Sequence, residues 1–515
     1  MNIKNIFKVS FWTFLSRILG LIRDMLLARY LGAGGNSDAF FIALKIPNLF
    51  RRFFAEGSMQ SAFIPIFSKL LAKNEQEAKE FSAQVFTLFF LMLGVVIILF
   101  EIYAKEVVMI ISPGFKDKGD VLFNLTVDLL RITLPYLFFI SLSAFYSSIL
   151  NALGKFALVA FLPAFLNICI IFCLYQQGFF NSSAHSASWG VLLGGLFQLL
   201  LVGYGCYKNN WLIIGFRSSK IKQDTWEFFK RLGPVIIGAG VYQINIVIDI
   251  LVASFLPLGT ISYLFYADRL YQLPLAIIGI AIATVILPAV SKIKALDFAE
   301  KNLTKEKGLL LALLFALPSS LGLIIFSKEI ITTIFYIGEF SYESVIATSI
   351  VLLIYSISLT FNVIIKVMLP FFYAEGDTKT PLYSTMVCLA LNIVFVFLLA
   401  HYFSYVGIAI ATSIASIVNF LILWQVHQRK YRIIFSNFFK AEIKKIIYVN
   451  INLLVLMVIF KIMLMNVVSI LNINLFKMLF VIVVLLVITF MLFLLKYYKA
   501  FIYQEIVSML VKRIK

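Results

Sequence analysis

Three histidines, at 185, 401 and 427, are too scattered to supply a metal site. Cys169, Cys173, Cys206 and Cys388 show no CxxC spacing; Cys169 and Cys173 share a helix face at i, i+4 and read as small apolar fillers. No Walker loop, HExxH or nucleophile elbow occurs, which excludes ATP-driven transport and most familiar catalysis from this chain alone. Soluble stretches are also missing. The longest connections between apolar runs are roughly 15–25 residues, too short for a folded soluble domain. Acidic residues are outnumbered, 25 Asp and Glu against 44 Lys and Arg, a net charge of +19. Such a balance would suit a nucleic-acid binder, but the cations lie in short loops between apolar spans, so no nucleic-acid partner is expected.

What fills the sequence is apolar length. Of its 515 residues 62% are hydrophobic and 13% charged, with mean hydropathy +0.99. Soluble domains run near half apolar and a quarter charged. Continuously apolar runs of 18 or more residues recur, each long enough to cross roughly 30 Å of hydrocarbon as a helix, and they lack the alternation of barrel strands. The pattern predicts an all-α polytopic membrane protein with about fourteen transmembrane helices. They lie near 6–31, 36–58, 82–111, 121–150, 156–178, 187–207, 227–256, 262–291, 308–327, 342–372, 380–402, 404–427, 443–465 and 475–498. Lys4 and Lys8 precede the first run, but Arg17, Arg23 and Asp24 interrupt it and no small-residue cleavage site follows, so a retained span is expected rather than a signal peptide. Alternate loops, such as 31–37, 181–188, 257–260 and 401–405, are almost uncharged, whereas the opposite set is rich in lysine and arginine. Both termini are therefore expected in the cytoplasm.

An internal repeat runs through the chain. Phe63-Ile64-Pro65-Ile66-Phe67-Ser68-Lys69 recurs 223 residues on as Ile286-Leu287-Pro288-Ala289-Val290-Ser291-Lys292, and Ala152-Leu153-Gly154 recurs 222 residues on as Ala374-Glu375-Gly376. A shift of six helices implies parallel repeats. The expected organisation is an N-lobe over 1–215, a C-lobe over 216–432 and a terminal helix pair over 433–515, with access alternating by rocking.

Charges inside these spans are the functional signal. An ionised side chain at the bilayer centre costs at least about 2.5–3.5 kcal/mol, so such residues usually face a bundle interior or wet cavity. The stretch from Phe11 to Gly57 carries Arg17, Arg23, Asp24, Asp38, Arg51, Arg52 and Glu56, and the repeat-related stretch near 266–274 carries Asp268 and Arg269. Arginine offers a planar fork of donors matched to phosphate oxygens. Arg17, Arg23, Arg52 and Arg269 are the candidate grips for an anionic cargo, with Asp24, Asp38, Asp268 and Glu56 orienting them. The plainer reading makes Arg23–Asp24 or Arg17–Asp24 an ion pair that registers helices, Arg51 a surface anchor and Arg29 a snorkelling cation. Asp249, Asn392 and Thr412 form a weaker candidate set for cation coupling.

Several segments together resemble a known family: SRILGLIRDMLLARYLGAG (16–34), SDAFFIALKIPNLFRRFFAEGSMQSAFIPIFSK (37–69), ILNALGKF (149–156) with LPAFLNI (162–168), YADRLYQLP (266–274) and KVMLPFFYAEGDTKTP (366–381). They are similar to the MurJ/MviN lipid II flippases of the multidrug/oligosaccharidyl-lipid/polysaccharide exporter superfamily. The resemblance implies a multi-pass protein of the bacterial cytoplasmic (inner) membrane that moves lipid II, the undecaprenyl-pyrophosphate-linked peptidoglycan precursor, to the outer leaflet for cell-wall synthesis. It carries the cavity roles over to Arg17, Arg23, Arg52, Arg269, Asp38 and Asp268, and assigns the last two helices to the polyprenyl tail. No cofactor is implied; the driving force is membrane potential or a monovalent cation gradient. The expected partners are lipid II headgroup and tail and membrane lipids, with cell-wall synthesis proteins as candidates.

The alternatives are a flippase for another polyprenyl-linked glycan and a cation-coupled exporter of small molecules. A drug exporter predicts a cavity rich in acids and aromatics, which the arginine surplus disfavours. A polyprenyl-phosphate glycosyltransferase would need clustered acids in a sizeable loop, and a pure scaffold has no use for so many costly charges.

Overall fold

The computed structural model describes residues 3–54, 58–215, 222–292, 298–431, 435–468 and 473–497. Their secondary structure is helical. The first half runs α1 (Ile3–Leu31), α2 (Gly35–Phe54), α3 (Ser58–Lys73), α4 (Glu75–Ile102), α5 (Ala104–Ile111), α6 (Gly114–Asp117), α7 (Asp120–Ala152), α8 (Phe156–Tyr175) and α9 (Ser183–Lys208). The second runs α10 (Gln223–Phe255), α11 (Thr260–Pro274), α12 (Ala281–Lys292), α13 (Phe298–Ile325), α14 (Ser327–Phe335), α15 (Tyr342–Ala374) and α16 (Lys379–Tyr431), followed by α17 (Asn437–Val468) and α18 (Ile473–Tyr497). Among the described residues nine stretches are long and apolar enough to cross a membrane, which makes this an all-α polytopic membrane fold.

Several helix lengths and spacings recur between the two halves. Helix α4 and helix α13 each have 28 residues, with starts 223 apart; α7 and α15 each have 33, with starts 222 apart. Short α5 has its counterpart in short α14. Pro65 and Pro288, the anchor of the sequence repeat, sit inside α3 and α12.

Departures from the expected spans have local causes. The span expected over 82–111 is two helices, because Tyr103 leaves helical geometry (φ −98, ψ 28) and its N–H closes α4 onto the Leu99 carbonyl. The span over 262–291 is interrupted by a π-helical turn, Leu275–Ile280, directly after Pro274. Proline offers no N–H to the turn before it, and widening the next turn accommodates the loss. The expected spans 380–402 and 404–427 are the two arms of α16, which breaks at Ser404 (φ 54, ψ −137). Ser384 donates to Asn419 at 2.5 Å; on a straight helix residues 35 apart would be separated by about 52 Å. The arms therefore fold into a hairpin. Gly407 makes the turn possible, since a Cβ there would lie 2.1 Å from the Leu399 carbonyl oxygen.

By packing, the described residues form two compact units. The first comprises residues 1–262 with 337–341, and the second 263–336 with 342–515. The first has an aromatic centre: the Phe63 ring lies 5.2 Å from Phe67, 5.2 Å from Phe81 and 5.4 Å from Phe145, all fully buried. Helix α10 joins this unit at its N-terminus, where buried Gln84 of α4 accepts from the Lys222 N–H (3.1 Å) and the Thr225 hydroxyl (2.8 Å). In the second unit, buried Glu306 of α13 accepts from the Ser436 N–H (2.7 Å) and hydroxyl (2.6 Å), tying the start of α17 to the bundle. Leu453 and Met457 of α17 then pack with Phe480 and Val483 of α18.

The hairpin is open to a direct check. Gly407→Ala should destabilise the protein by about 1–3 kcal/mol through overpacking, read as a lower thermal midpoint in detergent. Gly94→Ala, where the added Cβ meets nothing within 4 Å, should not. Equal midpoints for the two variants would contradict the folded-back geometry.

Candidate anion-binding site

Helix α1 carries the charges that the sequence singles out, and it runs through Gly20 as one helix. Arg17 is exposed. Six residues on, Arg23 is turned toward α8. Its Nε (3.0 Å) and Nη2 (2.7 Å) donate to Asp24 Oδ1, and Nη1 donates to Asn167 Oδ1 at 2.8 Å. Asn167 donates in return to the Ser16 carbonyl at 3.0 Å. The Arg23 and Asp24 side chains are only 14% and 5% exposed, so this ion pair sits inside the packed bundle. Removing either partner would strand a buried charge, a loss of about 3–5 kcal/mol. Three of the five guanidinium N–H donors are committed by these bonds. The helix-registering role and an anion-gripping role are thus compatible. Asn167 is the residue that charge-counting missed; its only signal was an amide in the apolar run FALVAFLPAFLNICIIFCLY.

Asp38 occupies the first turn of α2 and is 1% exposed. Its carboxylate accepts from the Gly259 N–H (2.7 Å), the Ser262 N–H (2.8 Å) and the Ser262 hydroxyl (2.6 Å). Those donors, 221 and 224 residues away, open α11, so Asp38 caps that helix, where an anion also meets the positive end of the helix dipole. Nearby, Lys118 donates to the Leu256 carbonyl that ends α10 and lies over the Phe115 ring. Partial burial holds the Lys118 ammonium below its ordinary lysine range, and the Asp38 charge pulls it back up. A second junction ties the end of α1 to residues 337–341. The Glu339 N–H donates to the Arg29 carbonyl at 2.9 Å. Gly32 and Gly338 both have positive φ, and a Cβ on either would lie within 2.5 Å of the opposing backbone carbonyl, of Glu339 or Arg29 respectively.

In the second unit, Asp268 accepts from Gln272 at 2.5 Å, and the Arg269 guanidinium lies 4.5 Å from the Phe265 ring centre. Arg51 donates to Asn48 at 3.0 Å. The Arg52 side chain and Glu56 lie outside the described residues. Of the candidate coupling residues, Asp249 is half-buried on α10 in the first unit. Asn392 is buried on one arm of α16, and Thr412 on the other arm donates to the Ile408 carbonyl at 3.0 Å. Among the described residues no group of His, Cys, Asp or Glu could hold a metal ion.

Known proteins resemble this chain along most of its length. A family profile described as lipid II flippase MurJ matches residues 27–491. The probable lipid II flippase MurJ of Rickettsia prowazekii is 36% identical over 426 residues, 82% of this chain and 83% of that protein. The corresponding protein of Vibrio cholerae is 35% identical over 435 residues, 81% of each. Among solved structures, lipid II flippase MurJ in an inward closed conformation superposes with TM-score 0.79 at 30% identity, covering 95% of this chain and 99% of that one. An inward-facing multidrug resistance transporter of the MATE family has TM-score 0.66 at 13% identity, a likeness of fold alone.

The Asp38 cap gives a measurable expectation. Asp38→Ala and Ser262→Ala should each lower stability in detergent, and the double variant should lose less than their sum by about 1 kcal/mol or more. Strict additivity would mean that the two groups do not bond.

Proposed function

This chain belongs to the MurJ family of lipid II flippases, and on that premise we propose that it is a transporter carrying lipid II from the cytoplasmic to the outer leaflet of the bacterial inner membrane, for peptidoglycan synthesis. The observation behind the site is Arg23, held in place by Asp24 and Asn167 within an apolar helix pair. The carboxylate fixes the fork and offsets part of its charge, and the remaining donors are proposed to meet the diphosphate. Arg17, Arg52 and Arg269 are the proposed further grips. Asp24 holds Arg23 in place, Asp268 and Glu56 are proposed to orient the other arginines, and Asp38 supports the start of α11.

The proposed frame has about fourteen spans: two parallel-repeat lobes over 1–215 and 216–432, then a tail-binding helix pair over 433–515, with both termini cytoplasmic. The matched element lengths of the two halves support the repeat. Access to the cargo is proposed to alternate between the two membrane faces. No nucleotide is required for direction: with the inside negative, moving each anionic charge outward gains about 2.3 kcal/mol per 100 mV. A cation site at Asp249, Asn392 and Thr412 is a separate, lesser proposal, in which the Thr412 hydroxyl, donating its proton to the Ile408 carbonyl, would offer its lone pairs to the ion.

Alanine at Arg17 or Arg269 should abolish growth support in cells depleted of the native protein while the variant still reaches the membrane. Lysine at Arg23 should restore little, because a point charge cannot reproduce the fork to Asp24 and Asn167. Near-normal complementation by the alanine variants would remove the proposed site.

A further inference from the structure

Helix α15 carries a charge that the arginine site does not use. Between Glu343 and Glu375 the only charged residue is Lys366, about 12 Å along the helix from its end at Ala374. At 100° per residue, Tyr355, Asn362, Lys366 and Tyr373 fall within about 20° of one line on the helix surface. Exposed Ile346, Ile350 and Ile357 lie about 180–220° away and form the lipid-compatible stripe. Lys366 is itself exposed, on the polar stripe and opposite the isoleucines. A lysine merely snorkelling through lipid would be expected among the isoleucines.

The neighbours on that side are built to leave the lysine room. Asn362 donates to the Tyr271 hydroxyl at 2.7 Å, and the Tyr271 ring lies 5.8 Å from Tyr355, so α11 covers the upper part of the stripe. One turn further, the π-helical turn presents Gly279, where an added Cβ would come within 3.3 Å of the Lys366 Cβ and 3.5 Å of its Cγ. The first carbons of the aliphatic stem thus lie across a glycine in a widened turn. Such π-turns recur at functional sites. Arg269 is ten residues before Gly279, about 15 Å away along the helix axis.

We propose that Lys366 is a second anion contact in the second unit, set to the cytoplasmic side of Arg269, which receives the diphosphate of a polyprenyl-linked cargo before the arginines do. This rests on the flippase reading above and adds an entry position to it. A flexible ammonium suits such a station: it attracts phosphate as a point charge without the bidentate hold of a guanidinium, so the cargo can pass on.

The test uses full-length protein in detergent and native mass spectrometry with undecaprenyl diphosphate, undecaprenol and inorganic diphosphate. Lys366→Ala and Lys366→Gln should bind undecaprenyl diphosphate about tenfold more weakly than the native protein. Lys366→Arg should recover most of the loss, with thermal midpoints unchanged in all three. Native-like binding by Lys366→Ala, alongside lost binding by Arg23→Ala, overturns this proposal and leaves the flippase reading intact. If the native protein binds undecaprenyl diphosphate no better than undecaprenol, the flippase reading itself fails. Inorganic diphosphate bound as tightly as the lipid would make Lys366 a site for soluble anions and overturn the lipid assignment.

Discussion

A charge within a hydrocarbon layer must have a partner or face water, and the arrangement of this chain follows from that requirement. Arg23 satisfies it through Asp24 and Asn167, which at once hold α1 against α8 and leave donors over. Asp38 satisfies it by accepting three bonds from the start of α11. The same chemistry has two outcomes. A fully engaged carboxylate becomes a structural cap, whereas a partly engaged guanidinium keeps capacity for an external anion.

That division bears on how a flippase can hold its cargo and still release it. A site of fully unpaired arginines would bind a diphosphate tightly and release it slowly. In the proposed site, the Asp24 carboxylate bonded to Arg23 would lower the field while fixing geometry, so that the direction of the donors rather than total charge would set specificity. A backbone irregularity sits close to one of the candidate grips: the π-turn begins six residues after Arg269. Backbone irregularity within a membrane is tolerated where protein or water satisfies it.

Much of this was legible in the amino-acid order, for reasons that can be named. Apolar length marks spans because a bilayer imposes a fixed thickness, and the arms of α16 fall where the run is interrupted near Ser404. Pro65 and Pro288 exposed the repeat because each occupies the equivalent helix. The break at Tyr103 was not legible, since nothing in that residue's chemistry forbids a helix. Nor were the partners of Arg23 and Asp38, because charge counting identifies a buried ion without naming what meets it across 144 or 224 residues. Lys366 lay within the family-like segment 366–381, yet its stripe emerges only when α15 is drawn as one unbroken helix.

The central claim is that this chain carries lipid II across the membrane. Its most direct test is to deplete the protein in cells and measure the leaflet distribution of lipid II with a probe confined to the outer surface. Lipid II should accumulate in the inner leaflet while outer exposure falls, and native protein should reverse the change. Undiminished outer exposure after depletion would contradict the account.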